Sequence, residues 1–159
     1  MKIKAQTAIL ITLAIFIFGT ALTSALGIWT TKSAKIPKKL NDGQQSDAYD
    51  PSDIRGSYTF SDISQLYGIP LSDLSEAFGV TEASAPDFKC KDLEGIYGAS
   101  EYEIGTASVR MFAAYYLGLP YDSSEAVYLP AAAAKILTDK GKMSQVQREY
   151  LESHTAPAN

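Results

Sequence analysis

The residues able to do chemistry in this chain are few and scattered. Cys90 stands between two lysines in Phe88-Lys89-Cys90-Lys91-Asp92. Flanking ammonium groups stabilise a thiolate, so Cys90 is the candidate for a reactive thiol. It is the only cysteine, which excludes an internal disulfide and a cysteine-ligated zinc or iron–sulfur site within the chain. The plainer reading of Cys90 is a small apolar residue at a helix start. His154 is the only histidine and falls near a C-terminus expected to fray, where the fixed partners of a general base or metal ligand are wanting. Glu101 and Glu103, and Asp47, Asp50 and Asp53 at every third position, do not follow a calcium loop, which needs oxygen ligands on alternate residues and a central glycine. They read as solvated charges and caps. The sequence carries no HExxH, P-loop, GxGxxG or Ser–His–Asp order, so no catalytic residue, cofactor or metal is expected.

Tyrosine is the residue type in excess, with 10 copies. Tyr115, Tyr116, Tyr121 and Tyr128 crowd around Gly118-Leu119-Pro120. A tyrosine offers a wide apolar ring with a polar tip, which suits a core rim or a partner interface. Tyr67, Tyr97, Tyr115, Tyr116 and Tyr121 are the candidate partner contacts.

Short helices must position these groups. Thr59 is an expected N-cap, with Asp62 in capping-box place, and Ile63, Leu66 and Tyr67 recur at helical spacing. Gly68 closes that helix and Pro70 opens the next, whose apolar stripe is Leu71, Leu74, Ala77 and Phe78 before Gly79. The stretch Lys91-Asp92-Leu93-Glu94-Gly95-Ile96-Tyr97-Gly98 repeats the pattern of Ser61-Asp62-Ile63-Ser64-Gln65-Leu66-Tyr67-Gly68. A third joint is Leu117-Gly118-Leu119-Pro120; the helix before it is expected to be capped by Thr106 and to bury Val109, Phe112, Ala113, Tyr116 and Leu117. Pro130 starts a helix that Gly141 stops, and Ser144 with Gln147 caps a last helix through Ser153. Period-two alternation is nearly absent, so the domain is expected to be all-α, a small bundle of short helices with helix-turn-helix-like joints.

The first helix pair has the core spacing of a DNA-binding helix-turn-helix. Its second helix, 71–78, carries Asp73 and Glu76 and no base, and phosphate would repel that face. With a net charge of −4, no nucleic acid is expected as a partner. The pair also resembles the helices of LysM peptidoglycan-binding modules, but the strands that flank those helices are missing from the pattern.

At the front, the run from Ala8 through Trp29 contains no charged residue. At about 1.5 Å per residue a helix of that length crosses a hydrocarbon layer of ~30 Å, and Trp29 sits where an interfacial aromatic belongs. A single-pass anchor over residues 1–29 is expected. A cleaved signal peptide, with Lys2 and Lys4 in front and Thr23-Ser24-Ala25 as cleavage site, is the rival, and the apolar run exceeds the usual h-region. Lysines flank both ends, so charge does not fix orientation; the tyrosine-rich, lysine-poor soluble part leans the expectation towards an extracytoplasmic domain. Residues 30–52 read as a flexible tether whose lysines 32, 35, 38 and 39 could touch anionic headgroups, and 53–155 as the helical domain.

The motif Asp53-Ile54-Arg55-Gly56-Ser57-Tyr58-Thr59, continued by Tyr67-Gly68-Ile69-Pro70 and by Phe88-Lys89-Cys90-Lys91-Asp92-Leu93-Glu94, resembles a small helical module appended to bacterial and archaeal membrane redox proteins. These include polyferredoxin-like and cytochrome-b-like proteins. The resemblance covers 53–98. This chain lacks cluster cysteines and haem-ligand histidines, so the resemblance implies a neighbourhood rather than redox chemistry: a non-catalytic accessory module beside a membrane electron-transfer complex. A thiol-based redox protein using Cys90 is the alternative, and a helix-turn-helix nucleic-acid binder the weaker one.

Overall fold

The computed structural model describes residues 12–14, 17, 36–40, 47–122 and 126–157. The chain divides into two compact units, Met1–Ala34 and Lys35–Asn159. In the first, residues 12–14 and 17 are helical, and Leu13 and Ile17 are exposed. Among the described residues no helix is long and apolar enough to cross a membrane; most of the expected anchor, and its flanking lysines 32 and 35, lie outside them.

The second unit is mostly helical. Helix α1 (Phe60–Tyr67) begins where Thr59 and Asp62 satisfy each other's backbone: the Thr59 N–H donates to Asp62 Oδ2 at 2.8 Å and the Asp62 N–H to Thr59 Oγ1 at 3.1 Å. It ends at Gly68, whose left-handed φ of 68° reverses the chain into Ile69-Pro70 and α2 (Leu71–Ala77). A 3₁₀ turn at Cys90–Asp92 leads into α3 (Leu93–Tyr97), and α4 (Thr106–Leu117) follows. Two residues of β1 (Leu129–Pro130) precede α5 (Ala131–Lys140) and α6 (Gln145–Ser153), and β2 (Thr155–Ala156) returns to pair with β1 in parallel, Leu129 opposite Thr155. The C-terminal segment expected to fray is therefore fastened: the Leu129 N–H donates to the His154 carbonyl at 2.9 Å.

The core runs along an aromatic chain. Phe88 meets Phe60 at 5.3 Å, Phe60 meets Phe78 at 5.7 Å, Phe78 meets Phe112 at 5.6 Å, and Phe112 meets Tyr116 at 5.8 Å, all tilted or edge-on. Such ring pairs contribute about 0.5–1.5 kcal/mol each beyond their area burial. Helix α4 threads the middle. Val109, Met111, Phe112, Ala113, Ala114 and Tyr115 are all buried, whereas Tyr116 and Leu117 are half-buried. The single face expected there is wrong because the helix is covered on several sides, so its apolar residues need no 3.6 period. Its cap also differs: Gly105 is the N-cap, and Ser108 Oγ accepts the Gly105 N–H and donates to the Tyr128 carbonyl at 2.7 Å. Thr106 is the first helical residue.

The expected tether is partly built into this unit. Lys39 and Tyr49 form an antiparallel bridge, and the Lys38 N–H donates to Asp53 at 3.0 Å. The Tyr49 ring meets the Tyr67 ring edge-on at 6.3 Å, and the Tyr67 hydroxyl donates to the Asp50 carbonyl. Those contacts compensate the ordering entropy that low hydrophobicity alone could not.

Candidate binding cleft

The aligned acids and tyrosines of the sequence separate into three places. The first is a buried carboxylate. Asp73 of α2 is 4% exposed and accepts from the Tyr116 hydroxyl of α4 and from Lys140 Nζ of α5, each at 2.8 Å. Burial and the hydrogen bond to Asp73 push the Tyr116 hydroxyl upward, and that same carboxylate raises the Lys140 ammonium. Asp73 is thus a cross-brace, not a solvated charge. Ser75 is buried beside it and donates to the Val80 carbonyl at 2.6 Å. Helix α2 packs against α5, leaving Ser72 and Glu76 as its exposed side chains. The helix that the sequence offers to a DNA groove is therefore largely spent on the core.

The second place is the core itself. Cys90 is fully buried, with its N–H on the Tyr58 carbonyl, while Lys89 and Lys91 are exposed. A nucleophilic thiol must reach its substrate, and this one has no exposed surface. Tyr67 and Tyr115 are core residues as well, at 7% and 3% exposure. Burial pushes the Tyr67 hydroxyl above its ordinary range and the Tyr115 hydroxyl to about 12. Tyr121 and Tyr116 are half-buried, and Tyr121 donates to the Ala107 carbonyl at 3.3 Å. His154 stacks on Tyr150 with centroids 3.7 Å apart and planes 6° from parallel, and lies 5.2 Å from Tyr128. Its Nδ1 meets the Tyr150 carbonyl and Ser153 Oγ, both at 2.9 Å.

The third place is concave. A cavity of about 230 Å³ opens between the C-terminal end of α2, the end of α3, the loop 98–105 and the start of α5. Gly79 makes it. Its left-handed φ of 64° turns the chain out of α2, and a Cβ there would stand 3.5 Å from the Tyr97 hydroxyl. That hydroxyl donates to the Phe78 carbonyl at 3.1 Å, which sets the Tyr97 ring against the opening. On the loop side the Tyr102 N–H donates to Ser100 Oγ at 3.1 Å, and the Tyr102 ring rests edge-on against Tyr128 at 5.0 Å. The far wall is the start of α5, Pro130 with Ala131 and Ala132, together with Ala156 after the β clasp. Small side chains leave the space; the two tyrosines give it shape. Burial raises the Tyr97 hydroxyl, and a hydrogen bond to the Glu101 carboxylate raises that of Tyr102, so both stay protonated at neutral pH. Among the described residues Glu76 is the one acidic or basic side chain in the lining.

A wider and shallower depression of about 510 Å³ lies between α5 and α6, floored by Met143 and Leu151 and edged by Arg148 and Glu152. Its charges are of both signs, which gives it no preference. Among the described residues no group of three or more His, Cys, Asp or Glu could hold a metal ion.

Of the five tyrosines expected as contacts, then, Tyr97 lines this cavity and is half-buried. Tyr102 and Glu76 line it with Tyr97 and were not singled out from the sequence. The signal that could have found them is weak: two tyrosines separated by the small residues Gly98-Ala99-Ser100. No family model, curated protein or solved structure matches this chain.

Proposed function

We propose that this chain is a membrane-anchored, non-catalytic interaction module that docks a membrane-protein partner through the surface around Tyr97. The observation that carries the reading is the exposed edge of the cleft. Ile96, next to Tyr97 on α3, is 49% exposed, and Tyr97 and Tyr102 keep part of their rings in solvent. An unburied aliphatic residue beside half-buried tyrosines is the composition that gains most from being covered.

The charge-free run from Ala8 through Trp29 supports a single-pass anchor, and the domain is read as extracytoplasmic. The resemblance over 53–98 supports the setting, an accessory subunit of a membrane electron-transfer complex. The mechanism is effective concentration: anchoring confines the domain to the plane in which its partner lies, so a modest contact suffices.

The test is crosslinking in the native membrane followed by mild detergent extraction, with wild type compared to Ile96→Asp. A crosslinked membrane protein should accompany wild type and be lost from the variant, whose helical circular dichroism should be unchanged. Recovery of wild type alone, or equal recovery of the partner by both proteins, contradicts the reading.

A further inference from the structure

We propose that the cleft is a site for a small organic cation, an ammonium group on an apolar body, held between Tyr97 and Tyr102 with Glu76 as its counter-charge. The inference rests on the reading of this cleft as the binding face of the module and names the chemistry that enters it.

Size admits more than a lone ion. The cavity of about 230 Å³ exceeds the ~150 Å³ that suffices for benzene, so it accepts an organic molecule. Its walls are alanine, proline and two tyrosine rings, which fits an apolar ligand body.

Charge then selects the sign. Glu76 is an acid at the surface, and among the described residues no lysine, arginine or histidine lines the cleft. The face of a tyrosine ring is the negative end of its quadrupole and attracts a cation. Two positive terms oppose the Glu76 charge: Lys140, whose ammonium interacts with Glu76 but is held and offset by Asp73, and the start of α5, where Pro130 supplies no side-chain cap. A helix N-terminus amounts to about half a positive charge, which the full charge of Glu76 outweighs. The local field is negative, and an anion is disfavoured.

The same chemistry could reach the cleft as a free small cation or as the ammonium headgroup of a lipid. The experiment uses the full chain in uncharged detergent and three molecules of one shape: choline, 3,3-dimethylbutanol and 3,3-dimethylbutyrate. Ligand-observed NMR should show choline saturating its site, the neutral alcohol binding about fivefold more weakly, the loss expected for one solvent-screened charge contact, and the anion weaker still. Glu76→Gln should bring choline down to the level of the alcohol. Tyr102→Leu should weaken choline as well, by the ring face it removes. Added glycerophosphocholine distinguishes the sources: competition with choline assigns a headgroup, and no competition assigns a free cation. Equal binding of choline and the alcohol, tighter binding of the anion, an unchanged Glu76→Gln, or no saturation by choline up to about 10 mM each overturns the assignment. If the cation fails while Ile96→Asp still loses the crosslink, the docking reading stands alone. If both fail, the cleft is not the binding face.

Discussion

Residues 61–68 and 91–98 carry Asp, an apolar residue, a second apolar residue, Tyr and Gly at the same spacing, yet one is built into the core and the other borders the cleft. In the first, Ile63 and Tyr67 are buried, and Asp62 closes a reciprocal cap with Thr59. In the second, Leu93 is buried but Ile96 is 49% exposed, Asp92 makes no cap bond from its side chain, and the helix is five residues long. The closing glycines differ too: Gly68 is left-handed, and Gly98 stays right-handed at φ −63°. A shared residue order specifies where a helix forms. What lies in front of it and behind it decides how far its second apolar position is covered: Leu66 is half-buried against the core, whereas its counterpart Ile96 is exposed. Thr59 and Ile69-Pro70 lock the first copy between cap and turn, whereas the second follows a 3₁₀ turn and runs into an irregular loop.

The largest expected contrast is between the apolar positions. Ile63→Ala should cost about 2–5 kcal/mol, the range for emptying a full core site, and Ile96→Ala less than about 0.5 kcal/mol. Chemical unfolding of the full chain in detergent measures both, and equal losses would erase the distinction drawn here. Next are the joints. Gly118 is left-handed at φ 72°, and a Cβ on it would lie 2.7 Å from the Lys142 carbonyl oxygen. Gly118→Ala should cost about 2–4 kcal/mol, strain plus clash. Gly68→Ala meets nothing within 4 Å and should cost only the backbone term, about 1 kcal/mol. Thr59→Ala should remove about 1 kcal/mol by the same unfolding assay, and Lys89→Ala, which precedes the second copy without a side-chain cap bond, close to nothing.

The last effect shows only at high pH. The folded state raises the Tyr115 hydroxyl from 10.0 to about 12 and raises Tyr67 as well. A group whose folded pKa is raised stabilises the fold fully below its unfolded pKa, and that contribution disappears as pH climbs through the folded value. Stability should therefore fall between about pH 10 and 12, and ultraviolet titration should show Tyr97 ionising before Tyr67. Simultaneous ionisation of all the tyrosines below pH 10 would show that the burial difference is unreal.

Much of this architecture was legible. Both capping boxes, at Thr59–Asp62 and Ser144–Gln147, the left-handed Gly68 and Gly118, and the helix from Ala131 to Lys140 follow local rules that depend on a few adjacent residues. What was not legible depends on partners far along the chain. Asp73 reads as a surface acid until Lys140 and Tyr116 are brought to it, 67 and 43 residues away. Arg110 binds the Ile54 carbonyl across 56 residues. Burial on several sides of α4 hides its faces from any periodicity. The site suffered most: Tyr97 was singled out for its residue type, whereas the cleft it lines exists because Gly79, Ala131 and Ala156 are small and convergent.

The parallel pairing of β1 with β2 sets an order of events during synthesis. Leu129 emerges well before Thr155 and waits for it, with α5 and α6 made in between. Until then the wall of the cleft that includes Ala156 does not exist. The cleft is therefore among the last parts of the domain to be completed.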